Sequence, residues 1–467
     1  MLRRKYVRVA VACAMGLGVS VVAAVPGAQA SGAGGFSKHV LATGLGDPYE
    51  IAWGPDGFLW ATEKSGKKVT RVNPKTGAKS TALDLPQAVH TEGGQDGVLG
   101  LAFHSQRDYV YLSYTYNAGA ALGSRTKIVR YTYDARVQRL GQPRDVLTGL
   151  PSSTDHQSAR LRFGPDGKLY YTIGDQGANQ FANYCDPNYA QRLPTAAEVR
   201  AHDWTAYRGK ALRLNLDGSI PADNPVLNGV RSHVYTYGHR NAQGLDFGRD
   251  GVLYQSEQGP KTDDEVNILR KGGNYGWPYV AGYRDDKAYT YANWSASSPT
   301  PCAELTYDDL EIPASVPQQQ ESDWTGAMVS PIRTFGTVDN GYNFRDPKCA
   351  AGGLYFICYP TVAPSSLSYY SGRRGGIPGW GDSLVTTNLK DGTVYQMRLT
   401  PNGAGTGKVT TLWKAQDRYR DTAFSPDGKS VFVATDSAGV VRDANGAPTT
   451  ELSNPGSIIE FRWHKQA

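Results

Sequence analysis

A short motif returns along the chain and limits what it can fold into. Trp53-Gly54-Pro55-Asp56-Gly57-Phe58-Leu59-Trp60 recurs as Phe163-Gly164-Pro165-Asp166-Gly167-Lys168-Leu169-Tyr170 and as Phe247-Gly248-Arg249-Asp250-Gly251-Val252-Leu253-Tyr254. It returns once more as Phe424-Ser425-Pro426-Asp427-Gly428 ahead of Val431-Phe432-Val433. Each copy is an apolar strand end, a tight turn, and a β-branched or aromatic strand. Proline presets the first turn torsion, and glycine accepts the positive φ a tight hairpin needs. Two weaker copies run Leu101-Ala102-Phe103 into Val110-Tyr111-Leu112, and Ser383-Leu384-Val385 through Asp391-Gly392 into Val394-Tyr395. One such turn is only a hairpin. Six units predict radial repetition: an all-β, six-bladed β-propeller of four-stranded antiparallel blades. A generic β-sandwich is the competing arrangement. The spacing is uneven, with long segments around 175–240 and 260–380 that hold the cysteines and most polar clusters. On a propeller such insertions sit on one face and build a site over the central channel.

The chain has 467 residues, 54 of them glycine and 29 tyrosine, which suits short strands and tight turns. Only 20% are charged, without long charge runs, which excludes global disorder. Residues 1–30 read as an export signal: Arg3, Arg4, Lys5 and Arg8, an apolar run from Val9 to Val25, then Ala28-Gln29-Ala30 before Ser31. Gly16 and Gly18 interrupt the run, and it is short for a spanning helix of about 20 residues. Removing this leader lowers the formal charge from +6 to +2, so no nucleic-acid-binding face is expected. The mature chain, 31–467, is expected to be one soluble propeller domain, periplasmic or secreted. Cys13 leaves with the leader. The even count that remains in an exported chain favours disulfides. Cys349 and Cys358 bracket a short glycine-containing segment and are expected to pair; Cys185 with Cys302 follows by elimination alone.

Four polar clusters could carry chemistry. Thr154-Asp155-His156-Gln157-Ser158 precedes a strong repeat; a carboxylate beside an imidazole can fix its tautomer for use as a base, though a surface-loop histidine is the simpler reading. Tyr237-Gly238-His239-Arg240-Asn241-Ala242-Gln243-Gly244 offers planar donors to carbonyl or carboxylate oxygens, or is a structural loop. Ser256-Glu257-Gln258-Gly259-Pro260, with Asp263, Asp264 and Glu265, supplies the oxygen ligands Ca²⁺ takes, without an EF-hand loop. Lys390, Arg418 and Arg420 form a basic set, and alternation along a strand puts both arginines on one face. Like charges so placed point to an anionic ligand, or to a solvated strand.

In this order the clusters resemble the soluble quinoprotein glucose dehydrogenases, which depend on pyrroloquinoline quinone (PQQ). The likeness runs from about Lys38 to Phe461. It includes Leu150-Pro151-Ser152-Ser153, Asp155-His156-Gln157-Ser158, Tyr170-Tyr171-Thr172-Ile173-Gly174-Asp175-Gln176-Gly177 and Lys271-Gly272-Gly273-Asn274-Tyr275-Gly276-Trp277-Pro278. Pro360-Thr361-Val362-Ala363-Pro364-Ser365-Ser366 and Asn454-Pro455-Gly456-Ser457 match as well. That family is a six-bladed propeller, in agreement with the repeat count.

The resemblance implies that His156 is the general base that takes the proton of an aldose C1 hydroxyl while hydride passes to the quinone. Asp155 neighbours it and contacts the sugar, with Gln95, Gln180, Phe181 and Tyr359. Arg240, Asn241, Phe356, Thr361 and the cationic clamp Lys390, Arg418 and Arg420 are implied PQQ contacts. The carbonyls of Gly259 and Pro260 are implied ligands of a Ca²⁺ on PQQ. Glu265, Tyr275, Ala281, Tyr283, Asp285 and Glu321 match a second, structural calcium site near the family's homodimer contact, which leaves room for a homodimer here. Cys349–Cys358 also matches a family disulfide. The expected activity is oxidation of aldoses such as D-glucose to the lactone, with electrons passing to an external acceptor. Phe356 and Tyr359 stand where the family has Tyr and Trp, and Phe181 where an aliphatic residue is expected, so the preferred sugar is open. A calcium-dependent lactonase-type hydrolase and a non-catalytic sugar-binding propeller are the alternatives; the first has no use for the cationic clamp, and the presence of Asp155-His156 with the whole cofactor set argues against the second.

Overall fold

The structure, a computed structural model, describes residues 34–372 and 376–465. The leader read over residues 1–30, with Cys13, lies outside them. Six four-stranded antiparallel sheets form the blades, with three short two-stranded ribbons beside them. The first blade comprises Pro48–Trp53, Leu59–Glu63, Lys68–Val72 and Lys79–Asp84; the second runs from Val98–Phe103 to Arg139–Leu150. The third begins at Ser158–Phe163, the fourth at Asn241–Phe247 and the fifth at Ser368–Tyr370. The sixth takes Tyr419–Phe424, Ser430–Thr435 and Ile458–Lys465, and adds Gly34–Ala42 from the other end of the chain as its outer strand. The first strand of every blade packs on the first strands of both neighbours, so these six line the central axis and close the ring.

The repeated turn does more than reverse the chain. Asp56 accepts the Phe58 N–H and the Trp60 indole N–H within its hairpin (3.2 and 3.0 Å), and Arg71 from the third strand (2.7 Å). Asp166 repeats this with Tyr170 (2.9 Å) and Arg213 (2.8 Å), and Asp427 with Lys429 (3.0 Å) and Arg462 (2.8 Å). One carboxylate thus ties three strands of a blade. Gly57, Gly167 and Gly428 hold φ between +66° and +78°, the region a side chain disfavours. The Ser383–Val385 unit is out of phase with the rest. It joins the second and third strands of its blade, Ser383–Thr387 and Val394–Leu399, whereas the other five join the first and second.

In five blades the register slips near the start of the first strand: between Pro48 and Ile51, Val98 and Leu101, Ser158 and Leu161, Asn241 and Gly244, and Tyr419 and Asp421. Such bulges re-aim side chains at the rim of a sheet. Where first strands begin, second strands end, and the polar clusters gather at that edge. The 175–209 insertion leaves from it directly. The segment after Ile268 instead starts at the opposite edge and returns along the third blade, where Asn274 bridges Tyr237 in parallel. Cys185–Cys302 joins these two insertions, and Cys349–Cys358 closes a third loop. Among the described residues no helix is long and apolar enough to cross a membrane.

Candidate active site

A cavity of about 300 Å³ opens at this edge. Gln95, Asp155, His156, Phe181, Arg240, Gly259, Pro260, Phe356, Thr361, Lys390, Arg418 and Arg420, twelve of the sequence-predicted residues, line it.

His156 precedes the bulged strand of the third blade, at φ +41°. Its Nδ1 lies 2.7 Å from Asp175 Oδ1, and its Nε2 3.7 Å from Asp155 Oδ1. The partner that fixes the ring is therefore Asp175, where the sequence suggested Asp155. Asp155 Oδ1 instead accepts from Gln95 Nε2 (3.0 Å) and from the His156 N–H (2.9 Å). Asp175 follows the second strand, Leu169–Ile173, and Gly174 between them has no room for a side chain: a Cβ there would stand 1.8 Å from the His156 carbonyl. Asp175 is fully buried, and also accepts from the Gly177 N–H (2.9 Å), Asn188 Nδ2 (3.1 Å) and Trp277 Nε1 (2.7 Å). Burial works to raise its carboxyl, but His156, Arg240 and the Gly177 N–H outweigh burial and hold it below the usual range. An ionised Asp175 keeps the proton on Nδ1 and leaves the Nε2 lone pair for the cavity.

Arg240 donates to the carbonyls of Gln258 (3.1 Å) and Gly259 (2.8 Å) and to Gln180 Oε1 (2.7 Å); its buried Nε has no partner. Gln180 sits behind the wall, between Arg240 and His156. Asn241, fully buried, donates to Gln258 Oε1 (3.1 Å) and accepts from Ser158 (3.1 Å) beneath the cavity. Lys390 Nζ donates to Thr361 Oγ1 at 2.6 Å, and burial pushes its amine down to about 7. Asp264 takes the N–H groups of Gly259 (2.9 Å), Val362 (2.6 Å) and Ala363 (3.0 Å), so it braces both flanks of the cavity.

The arginine pair is not bare. Asp436, one residue beyond the second strand of its blade, accepts both Nε (2.7 Å) and Nη2 (2.7 Å) of Arg420 and the Nε of Arg418 (3.0 Å). Burial alone would raise this carboxyl, yet the two guanidinium groups hold it well below the ordinary range. The repulsion inferred from sequence is thus partly offset within the chain. Even so, Arg240, Lys390, Arg418 and Arg420 face only Asp155 and Asp264 across the cavity lining, an excess of positive charge suited to an anion.

Phe181 and Phe356 are the open walls, 42% and 39% exposed, with ring centroids 6.3 Å apart. Tyr359 is buried, packs on Phe344 (5.3 Å), and presents its ring 5.8 Å from Lys390 Nζ. Of the second calcium set, Glu321 takes the N–H groups of Ala281 (2.9 Å), Asp285 (3.2 Å) and Asp286 (3.0 Å), and Glu265 that of Gly282 (2.7 Å). Burial raises both carboxyls, that of Glu321 to about 7. Tyr275 turns its hydroxyl to the Ile268 carbonyl (2.6 Å), and Tyr283 is 39% exposed. Among the described residues no three His, Cys, Asp or Glu side chains cluster as a metal site. Sequence reasoning missed Asp175, Trp277 and Asp436 as site residues, while Gln243, Gln258 and Asp264 lay within its polar clusters. Asp175 and Asp436 share a signal: each follows the end of a second strand, beside the axis.

The sequence profile of the glucose/sorbosone dehydrogenases matches residues 45–306 and 343–442. Over 437 residues, 92% of this chain and 91% of the relative, the sequence is 47% identical to quinoprotein glucose dehydrogenase B of Acinetobacter calcoaceticus. The PQQ-bound form of an aldose sugar dehydrogenase from Streptomyces coelicolor superposes with a TM-score of 0.61 at 24% identity, covering 92% of this chain and 98% of that one. The soluble aldose sugar dehydrogenase of Escherichia coli gives 0.62 at 22% identity, over 92% of this chain and 100% of that one. At those identities the two structures show a shared fold.

Proposed function

We propose that this chain, which belongs to the glucose/sorbosone dehydrogenase family, is an exported, PQQ- and calcium-dependent dehydrogenase that oxidises aldoses such as D-glucose at C1 to the lactone. One observation carries the reading: an imidazole fixed by a buried carboxylate opens into the same cavity as four cations. The lining fits a tricarboxylate quinone. Lys390, Arg418 and Arg420 would take its carboxylates through charge-assisted hydrogen bonds, with Thr361 beside them. Arg240, which lines the cavity and whose Nε lacks a partner, would face a quinone oxygen, and Asn241 beneath the lining would reach one only by releasing Gln258. Gly259 and Pro260 offer carbonyl oxygen, the donor type Ca²⁺ takes, and the buried carboxylates of Glu265 and Glu321 suit a second cation. When bound, PQQ supplies a hydride acceptor and Ca²⁺ a Lewis acid upon it.

The chain's own part is proton transfer and orientation. His156 Nε2 takes the C1 hydroxyl proton as hydride leaves that carbon, so that no uncompensated cation develops on the sugar. Asp175 holds the ring and stabilises the imidazolium. Gln95 and Asp155 hold sugar hydroxyls, Phe181 offers an apolar face to its ring, and Phe356 offers one to the cofactor. Both disulfides fit an oxidising compartment, and residues 1–30 the signal that would send the chain there.

Reconstitution tests this directly. Protein stripped with chelator is expected to be inactive with PQQ alone and to reduce an artificial dye with sugar once Ca²⁺ is restored. Full activity without PQQ, or with a nicotinamide cofactor in its place, would overturn the reading.

Lys390 adds a pH dependence. Burial lowers its free amine from the usual lysine range, and a bound carboxylate favours the charged form and raises it. Binding at a pH between those two midpoints must therefore take up a proton, so PQQ affinity is expected to weaken by up to about tenfold per pH unit as pH rises through that window. Below it the amine is already charged and the curve flattens. Calorimetry in buffers of different ionisation enthalpy should show the uptake, and Lys390→Met should abolish it; equal uptake in that variant would place the proton elsewhere.

A further inference from the structure

Trp277 touches both halves of the site and belongs to neither. Its indole Nε1–H donates to Asp175 Oδ2 at 2.7 Å, and its ring lies 5.4 Å from the Arg240 guanidinium carbon. Its backbone is tied at both ends: the N–H donates to Gly238 (3.1 Å), two residues before Arg240, and the carbonyl accepts from Gln191 Nε2 (2.8 Å). Asp175 Oδ2 has one other donor, Asn188. These two donors set the carboxylate's rotation and so aim Oδ1 at the imidazole. On the guanidinium, Nη1 and Nη2 are hydrogen-bonded while Nε is not, and the indole ring is a further contact that restrains the group.

We propose that Trp277 is a positioning residue that aligns the His156–Asp175 pair through its N–H and the Arg240 guanidinium through its ring. This rests on the function proposed above for the part that concerns Arg240; the part that concerns His156 stands on the hydrogen bonds alone. The two contacts use different features of one side chain and can be removed separately. Trp277→Phe deletes the N–H and keeps an aromatic face. Trp277→Leu deletes both.

The first readout needs no cofactor. With histidine labelled in the cofactor-free protein, NMR titration follows the His156 imidazole. The charged groups around it are Asp175 on Nδ1, Asp155 at 3.7 Å from Nε2, and Arg240 joined through Gln180; none is altered by the substitution. Losing a donor to Asp175 concentrates its charge toward Nδ1, so Trp277→Phe should move the His156 midpoint up by about 0.5–1 pH unit. Asn188→Ala, which removes the other Oδ2 donor, should move it the same way and serves if the tryptophan variant does not fold. In the loaded enzyme the acid limb of kcat should shift with the midpoint in Trp277→Phe, with PQQ half-saturation within twofold of wild type. Trp277→Leu should also raise PQQ half-saturation about three- to tenfold. An unmoved His156 midpoint in both Trp277→Phe and Asn188→Ala would overturn the alignment of the base. Equal PQQ requirements in Trp277→Phe and Trp277→Leu would overturn the restraint on Arg240. A wild-type protein that binds no PQQ sinks the proposed function and the Arg240 half with it, while the His156 titration still decides the other half.

Discussion

His156→Ala is expected to lower the turnover number by about 10²–10⁴-fold, the contribution typical of a positioned general base. Oxidation at a hemiacetal carbon needs the hydroxyl proton removed as hydride departs, and His156 Nε2 is the nitrogen the fold leaves free for it. PQQ binding should persist, because Lys390, Arg418 and Arg420 stand across the cavity and Asp436 holds the two arginines independently of the imidazole. Asp175→Asn should come close in effect. A carboxamide can donate to Nδ1, which moves the imidazole proton to Nε2 and removes the lone pair from the cavity. In wild-type protein the rate should fall toward acid, since protonation occupies the same lone pair. Turnover of the mutants at saturating PQQ, with a separate cofactor titration, decides the matter. A loss of only a few-fold in His156→Ala would make Asp155 the next candidate base, and a matching rise in the PQQ requirement would mean the cavity itself had been lost.

Arg160→Leu should cost about 3–5 kcal/mol of folding stability, the penalty for leaving buried charges without their partner. Arg160 lies on the axis with no exposed surface. Its guanidinium donates to the Gln243 carbonyl (2.8 Å), the Ser365 carbonyl (3.0 Å) and Asp421 Oδ2 (3.0 Å), and lies 3.5 Å from Glu50. These partners belong to the fourth, fifth, sixth and first blades, and the arginine itself to the third. One side chain therefore bridges five blades where their first strands meet. Leucine fills part of the volume but strands Asp421, whose Oδ2 then keeps only the Ile51 N–H (2.8 Å). Glu50 retains Arg162 and the Leu101 N–H. Adding Asp421→Asn to Arg160→Leu should recover a good part of the loss, because the uncompensated anion is gone. Urea unfolding of the three proteins measures this. A loss below about 1 kcal/mol, typical of an exposed pair, would show that the axial cluster is not closing the ring.

The blades were legible in the chain because a propeller repeats a local signal. A Pro-Asp-Gly turn between β-prone strands is decided by near neighbours, so the hairpins at Asp56, Asp166 and Asp427 could be read without tertiary knowledge. The Ser383–Val385 unit shows the limit. Its turn looks like the others, but it joins a later pair of strands, and only the ladder to Ser368–Tyr370 reveals the phase. Pairing of Cys349 with Cys358, nine residues apart, needed little more than proximity, whereas Cys185 and Cys302, 117 apart, could only be matched by exclusion.

The sequence by itself determined the all-β repeat, the residue types of the cavity and, through its resemblance to the quinoprotein dehydrogenases, twelve of the residues that line it. The tertiary structure decided the pairings among them. Asp155 is adjacent to His156 in sequence, yet the hydrogen bond that fixes the imidazole is accepted by Asp175, just past the end of the next strand of the same blade. Arg418 and Arg420 looked like bare like charges until Asp436 came between them from a neighbouring strand end. Trp277 reaches the site only because the segment after Ile268 climbs back along the third blade. Alternation and turn chemistry act over a few residues and are written in the chain. Which carboxylate meets which base depends on strand register, on bulges that rotate a side chain, and on insertions folding back over the ring, and these are fixed only when distant segments pack together.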